Sequence, residues 1–180
     1  MLPLLNLDTI QAATRISSGR AKQLMEGCVW CLLTCKHSNG ITLGVVADGK
    51  PDAYSVCWND SEIDVAALNR TYDEKRGIED GAEAIALLLV TSRTDYNAVQ
   101  RTILGTGIDY WLGYQENLNN PFKSASRIEI SGLLSENSTN TVKRRVASKL
   151  EQTKPTDHTF PVYVIVVEFS QPYAQVVLKK

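Results

Sequence analysis

Two carboxylates stand in apolar company in this chain of 180 residues. Asp109 lies between Ile108 and Tyr110, and Glu129 between Ile128 and Ile130. An acid in a segment otherwise fit for burial costs free energy unless something pairs with it. Both acids belong to one stretch, Gly107 to Gly132, in which two apolar arms, Gly107–Tyr114 and Ala125–Leu133, flank an Asn-rich loop containing Pro121. The pattern predicts a β-hairpin with one acid on each arm. Alternation puts Arg127, Glu129 and Ser131 on one face of the second arm and Ile128 and Ile130 on the other. With Asp109 in reach of Glu129, the two repel unless a proton or a cation lies between them. A hard divalent cation such as Mg²⁺ answers that need, and it can activate water and stabilise charge on a phosphate. The purely structural alternative has Asp109 bonding the amides near Gly105–Gly107, and Glu129 pairing with Arg127 or with a basic residue of the helix that follows.

Glu83 is a third acid in an awkward place. The segment Ala82–Val90, AEAIALLLV, is nearly all apolar, so its helix should be packed on more than one side. Glu79 and Asp80 precede it on a helix expected to start at Ile78, where the helix dipole accounts for both; Glu83 lies beyond that effect. Downstream, Lys143, Arg144, Arg145 and Lys149 surround the stripe Val142, Val146 and Leu150. Such a basic face is either solvated or turned toward phosphate.

Positioning these groups calls for a series of elements. Asp8 is expected to cap a helix to about Glu26, with Gly27 as its stop and Arg15, Arg20 and Lys22 on its outer faces. Cys28–Lys36, Ile41–Ala47 and Ala53–Trp58 read as an antiparallel meander, turned at Ser38-Asn39-Gly40 and Asp48-Gly49-Lys50-Pro51. It either extends the main sheet or forms a second layer. Trp30, Tyr54 and Trp58 read as packing residues, because the basic interleaving of a base-stacking platform is missing. A short helix at Glu62–Asn69, a longer one at Ile78–Ser92, a strand at Asn97–Leu104 and the hairpin come next. A helix ending near Gln152 follows, then the β-branched Pro161–Phe169, which reads as a central strand, and a last element at Tyr173–Leu178. Strand, helix, strand in that order predicts a parallel crossover.

Composition sets outer bounds. With 43% hydrophobic and 22% charged residues the chain fits one globular domain spanning 1–180. No segment suits a bilayer and no signal peptide is evident, so a cytoplasmic location and no membrane partner are expected. The net charge of −1 argues against a surface built throughout to grip nucleic acid, though not against a local basic patch. Cys28, Cys31 and Cys35, with His37 nearby, start with a C-x-x-C spacing, but apolar gaps and the absence of a second such pair favour small buried side chains over zinc. His37 and His158 are the only histidines and support no nucleophile triad. Neither a P-loop nor a dinucleotide fingerprint is present.

From residue 77 to 170 the expected order is helix, strand, strand, strand, helix, strand, and with Asp109 and Glu129-Ile130-Ser131 on the second and third strands it resembles the PD-(D/E)XK nuclease superfamily. The resemblance implies an α/β (α+β) restriction endonuclease-like αβββαβ core, a mixed central sheet with flanking helices. The N-terminal helix and β-meander of residues 1–70 lie outside it. It implies a metal-dependent nuclease hydrolysing phosphodiester bonds in DNA or RNA, with Asp109 and Glu129 holding Mg²⁺, Glu83 (or Glu79) assisting, and Arg127, Lys143, Arg144 and Arg145 as candidates for nucleic-acid contact. The family's motif lysine is replaced by Ser131, which cannot supply a cation; Arg127 and Lys123 are the nearby substitutes. The alternative is a catalytically inactive module of the same fold that binds a protein partner or a second copy of the chain.

Overall fold

The computed structural model describes residues 1–102, 107–114, 125–154 and 160–180. The chain is mixed α and β, with one eight-stranded sheet and flanking helices. Among the described residues no helix is long and apolar enough to cross a membrane.

The N-terminal third departs most from the sequence-based expectation. Leu4–Asn6 is a short strand, β1, followed by a 3-10 turn that Asn6 caps and by the short helix α1, Ile10–Thr14. The long helix α2 then starts after Ser17, whose hydroxyl accepts from the Arg20 amide, and runs without interruption from Ser18 to Thr34. Gly27 is therefore not a stop, and Cys28–Lys36 is not a strand. Gly27 is required by packing: a Cβ there would stand 2.6 Å from the Asp80 Cβ, and one at Gly81 would stand 3.1 Å from the Cys28 Cα. Two glycines thus let α2 and the helix carrying Asp80 cross at backbone contact. On a helix, Cys28, Cys31 and Cys35 share one face instead of alternating. Cys28 and Cys31 are buried, and burial raises both thiols above their ordinary pKa, so they pack as small apolar groups.

The hairpin β2–β3 (Ile41–Ala47 and Lys50–Cys57) turns at Asp48 and Gly49, with φ of 48° and 81°. Two left-handed residues in succession give the tight turn whose twist matches the strands. Trp30, Tyr54 and Trp58 are buried, as their packing role requires. A short helix α3, Val65–Thr71, leads to α4, Glu74–Arg93. The Asp73 carboxylate caps α4 by accepting from the Arg76 amide at 2.8 Å, so the helix begins four residues before Ile78. Glu79 and Asp80 thereby fall in its second turn, and the dipole explanation offered for them no longer applies.

The remaining elements are β4 (Ala98–Arg101), β5 (Tyr110–Gly113), β6 (Ser126–Leu133), α5 (Val142–Gln152), β7 (Val162–Glu168) and β8 (Tyr173–Lys179). The sheet order is β1-β3-β2-β8-β7-β6-β5-β4. Strands β4, β5 and β6 form an antiparallel meander, β7 is parallel to β6 across α5, and β8 is antiparallel to β7. The N-terminal hairpin joins through β2, parallel to β8, so it extends the main sheet. Period-two alternation divides the core between two faces. Ile128, Ile130, Ile165 and Val167 pack toward α2 and α4, whereas Leu133 and Val166 pack with Val142 and Val146 of α5.

Candidate functional site

Strand pairing brings the two acids of the hairpin together. In the β5–β6 register Tyr110 faces Ile128 and Trp111 faces Arg127, and just before β5 the Asp109 amide also donates to the Ile128 carbonyl at 2.9 Å, which sets Asp109 beside the start of the Glu129–Ser131 segment. Asp109 Oδ2 accepts from the Ile130 amide at 2.7 Å, which fixes that carboxylate across the strand. Glu129 is only 1% exposed. Burial, then the charge of Asp109, push its pKa up to about 7, against the opposing pull of Lys149. Burial likewise raises Asp109, with the Ile130 amide pulling the other way and Glu83 adding to the rise.

Helix α5 supplies the opposite charge. Lys149 Nζ donates to Glu129 Oε1, which Gln152 Nε2 also reaches at 3.0 Å. One turn earlier, Arg145 Nη1 donates to Ser131 Oγ at 2.9 Å. This pairing follows from geometry: four residues of helix rise about 6 Å, and two residues of strand advance about 6.7 Å. Residues 145 and 149 on an antiparallel helix therefore match residues 131 and 129 on β6. The suggestion that Glu129 pairs with a basic residue of the following helix is met by Lys149, not by Arg127.

A second charged set closes the other side. Glu83 Oε2 accepts from Arg20 Nη2 and from the Tyr110 hydroxyl, each at 2.5 Å, and Arg20 Nη1 reaches Asp80 Oδ1 at 2.6 Å. Arg76 adds a contact to Asp80 at 3.2 Å. Burial lowers the Arg20 pKa, but Glu83 and Asp80 outweigh it and carry the group above its ordinary value. Arg20, expected on a solvated face of the first helix, instead neutralises the acids of α4. Tyr110 is a buried phenol whose pKa burial and Glu83 both raise, so it remains a hydrogen-bond donor.

Between these sets opens a cavity of about 570 Å³. Asp109, Glu83 and Ser131 line it with Lys149, Arg145 and Arg20, while Lys75, Arg76, Glu79 and Arg101 also contribute. Other expected site residues lie elsewhere. Arg127 is 1% exposed, and its guanidinium donates to the Phe160 carbonyl, which withdraws it from contact with any phosphate at the surface. Lys143 is exposed away from the cavity lining, and Arg144 folds back onto the Ser138 and Thr139 carbonyls. Lys123, Gly105 and His158 lie outside the described residues.

Among the described residues no three His, Cys, Asp or Glu side chains gather closely enough to hold a metal ion. Glu83 is engaged by Arg20 and Tyr110, and Glu129 Oε1 by Lys149 and Gln152, so the donors left to a cation are Asp109 and the second Glu129 oxygen. That set is compatible with Mg²⁺, which keeps several of its own waters and needs only one or two protein oxygens. Lys149 and Arg20 were the residues that sequence reasoning left out of the site. Their signal was present only as a deficit: paired acids on buried elements require cations, but distant segments had to supply them. Comparison with known proteins finds no family model, curated protein or solved structure that matches the chain.

Proposed function

We propose that the cavity is the active site of a Mg²⁺-dependent nuclease that hydrolyses phosphodiester bonds. The observation that carries this reading is Asp109 lining an open cavity with basic residues in its wall, close enough to act on the buried Glu129 and its partner Lys149 behind it. Asp109 and Glu129 would hold the cation, whose chemistry when bound is to polarise a phosphoryl oxygen and lower the pKa of water. Lys149 supplies the positive charge that Ser131 cannot, placed on Glu129 from helix α5. Glu83 acts as a positioning residue: by accepting from Tyr110 it anchors the start of β5, and with it Asp109, against α4.

A Mg²⁺ and Mn²⁺ titration with DNA and RNA substrates tests this directly. The wild type should cleave in a metal-dependent manner, and Asp109→Ala should lose at least 10²-fold in rate, the scale on which a missing electrostatic group is felt in a catalytic site. Lys149→Met should lose activity while still binding the cation. No metal-dependent cleavage, or equal cleavage by wild type and Asp109→Ala, rejects the assignment.

The second reading, a catalytically inactive module of the same architecture binding a partner, is favoured by the Glu129–Lys149 ion pair. That pair neutralises the buried acid without any metal. It requires that Mn²⁺ fail to bind at the acid pair, which paramagnetic broadening of resonances around Asp109 would reveal.

A further inference from the structure

Arg145 differs from Lys149, Arg20 and Arg76, which share its cavity. Lys149 faces Glu129, Arg20 faces Asp80 and Glu83, and Arg76 faces Asp80. Arg145 is half-buried, yet its hydrogen bonds among the described residues go to neutral oxygens: Nε to Asn140 Oδ1 at 2.8 Å and Nη1 to Ser131 Oγ at 2.9 Å. Two such contacts orient a guanidinium without neutralising it. The Nη2 group, on a side chain that lines the cavity, is left to donate. A partly desolvated full charge with a fixed planar fork is suited to a phosphate, which it can grip through paired N–H donors.

We propose that Arg145, aimed by Ser131 and Asn140, binds a backbone phosphate of nucleic acid beside the acid pair. The inference rests on the nuclease reading for the nature of its ligand. It also gives Ser131 a purpose. A lysine at that position would project its ammonium into the Arg145 guanidinium, whereas a hydroxyl accepts a hydrogen bond from it. On this view the serine is the partner of a cation delivered from α5, and not merely the trace of a lost one.

The experiment is fluorescence anisotropy of labelled DNA and RNA oligonucleotides in Ca²⁺ across a salt series, with cleavage in Mg²⁺ followed separately. Arg145→Gln should weaken binding about tenfold and reduce the slope of log K against log salt by about 0.7 to 0.9, the share of one phosphate contact. Arg145→Lys should keep the slope and lose affinity, because it retains charge without the fork. Ser131→Ala should weaken binding less than Arg145→Gln does. Should Arg145→Gln fail to melt cooperatively, the lysine and alanine variants decide: wild-type affinity in both overturns the proposal. Unchanged affinity and slope in a folded Arg145→Gln overturns it as well, even if the wild type cleaves. Slope loss in a wild type that binds but never cleaves rejects hydrolysis and leaves the phosphate contact standing. A wild type that neither binds nor cleaves rejects both.

Discussion

At Glu129 burial and the charge of Asp109 act in the same direction. A carboxyl whose folded pKa exceeds its unfolded value binds more protons in the folded state, so stability falls as pH rises between the two values. For Glu129 that window runs from the ordinary 4.5 to about 7. Its contribution is fully present below pH 4.5 and is lost as pH rises through 7, at most ~3 kcal/mol in all. Denaturant melts across this range should therefore show a steeper decline for the wild type than for Glu129→Gln; parallel curves would refute the assignment. Arg20 makes a different prediction. Removing it by Arg20→Met strands Asp80 and Glu83 without their shared cation, and breaking a buried pair by deleting one partner costs about 3–5 kcal/mol. A loss under 1 kcal/mol in a denaturant midpoint would show that Arg76 and Tyr110 suffice.

At the scale of elements, the crossing of α2 and α4 places Arg20 over Glu83. Alanine is favoured over glycine inside a helix by about 0.5–1 kcal/mol, but the Cβ of Gly27→Ala would meet the Asp80 Cβ at 2.6 Å. Overpacking typically costs about 1–3 kcal/mol, so the clash wins and the melting temperature should fall by several degrees. Gly19→Ala, on the same helix with nothing within 4 Å, isolates the propensity gain and should be neutral or slightly stabilising. If both variants melt alike, backbone contact at Gly27 is not what limits the helix pair.

At the scale of the molecule, the N-terminal region is not an appendage. Strand β2 pairs with β8 inside the single sheet, and α2 packs along α4 while delivering Arg20. A chain shortened to residues 73–180 would expose the β8 edge and the apolar face of α4 and leave Asp80 and Glu83 without Arg20. It should lack a cooperative thermal transition by circular dichroism. A sharp transition from that fragment would mean the region from β4 to β8 folds alone.

The hairpin around Asp109 and Glu129, the buried strand β7 and the basic helix α5 were legible in the sequence because period and turn chemistry are local properties. Even the strand reading of Cys28–Lys36 has a local cause: a short apolar run after a glycine satisfies strand and helix patterns equally, and the helix is seen only with α2 packed on α4. The acids of the site could be named in advance because a carboxylate among apolar neighbours is visible in one dimension. Their cations could not. Arg20 and Glu83 are separated by 63 positions, and Lys149 and Glu129 by 20. What sequence alone determined was which charges needed partners; which partners reached them was decided by the crossing of α2 on α4 and the match of α5 to β6, since charge pairing acts through space and leaves no periodic mark on the chain.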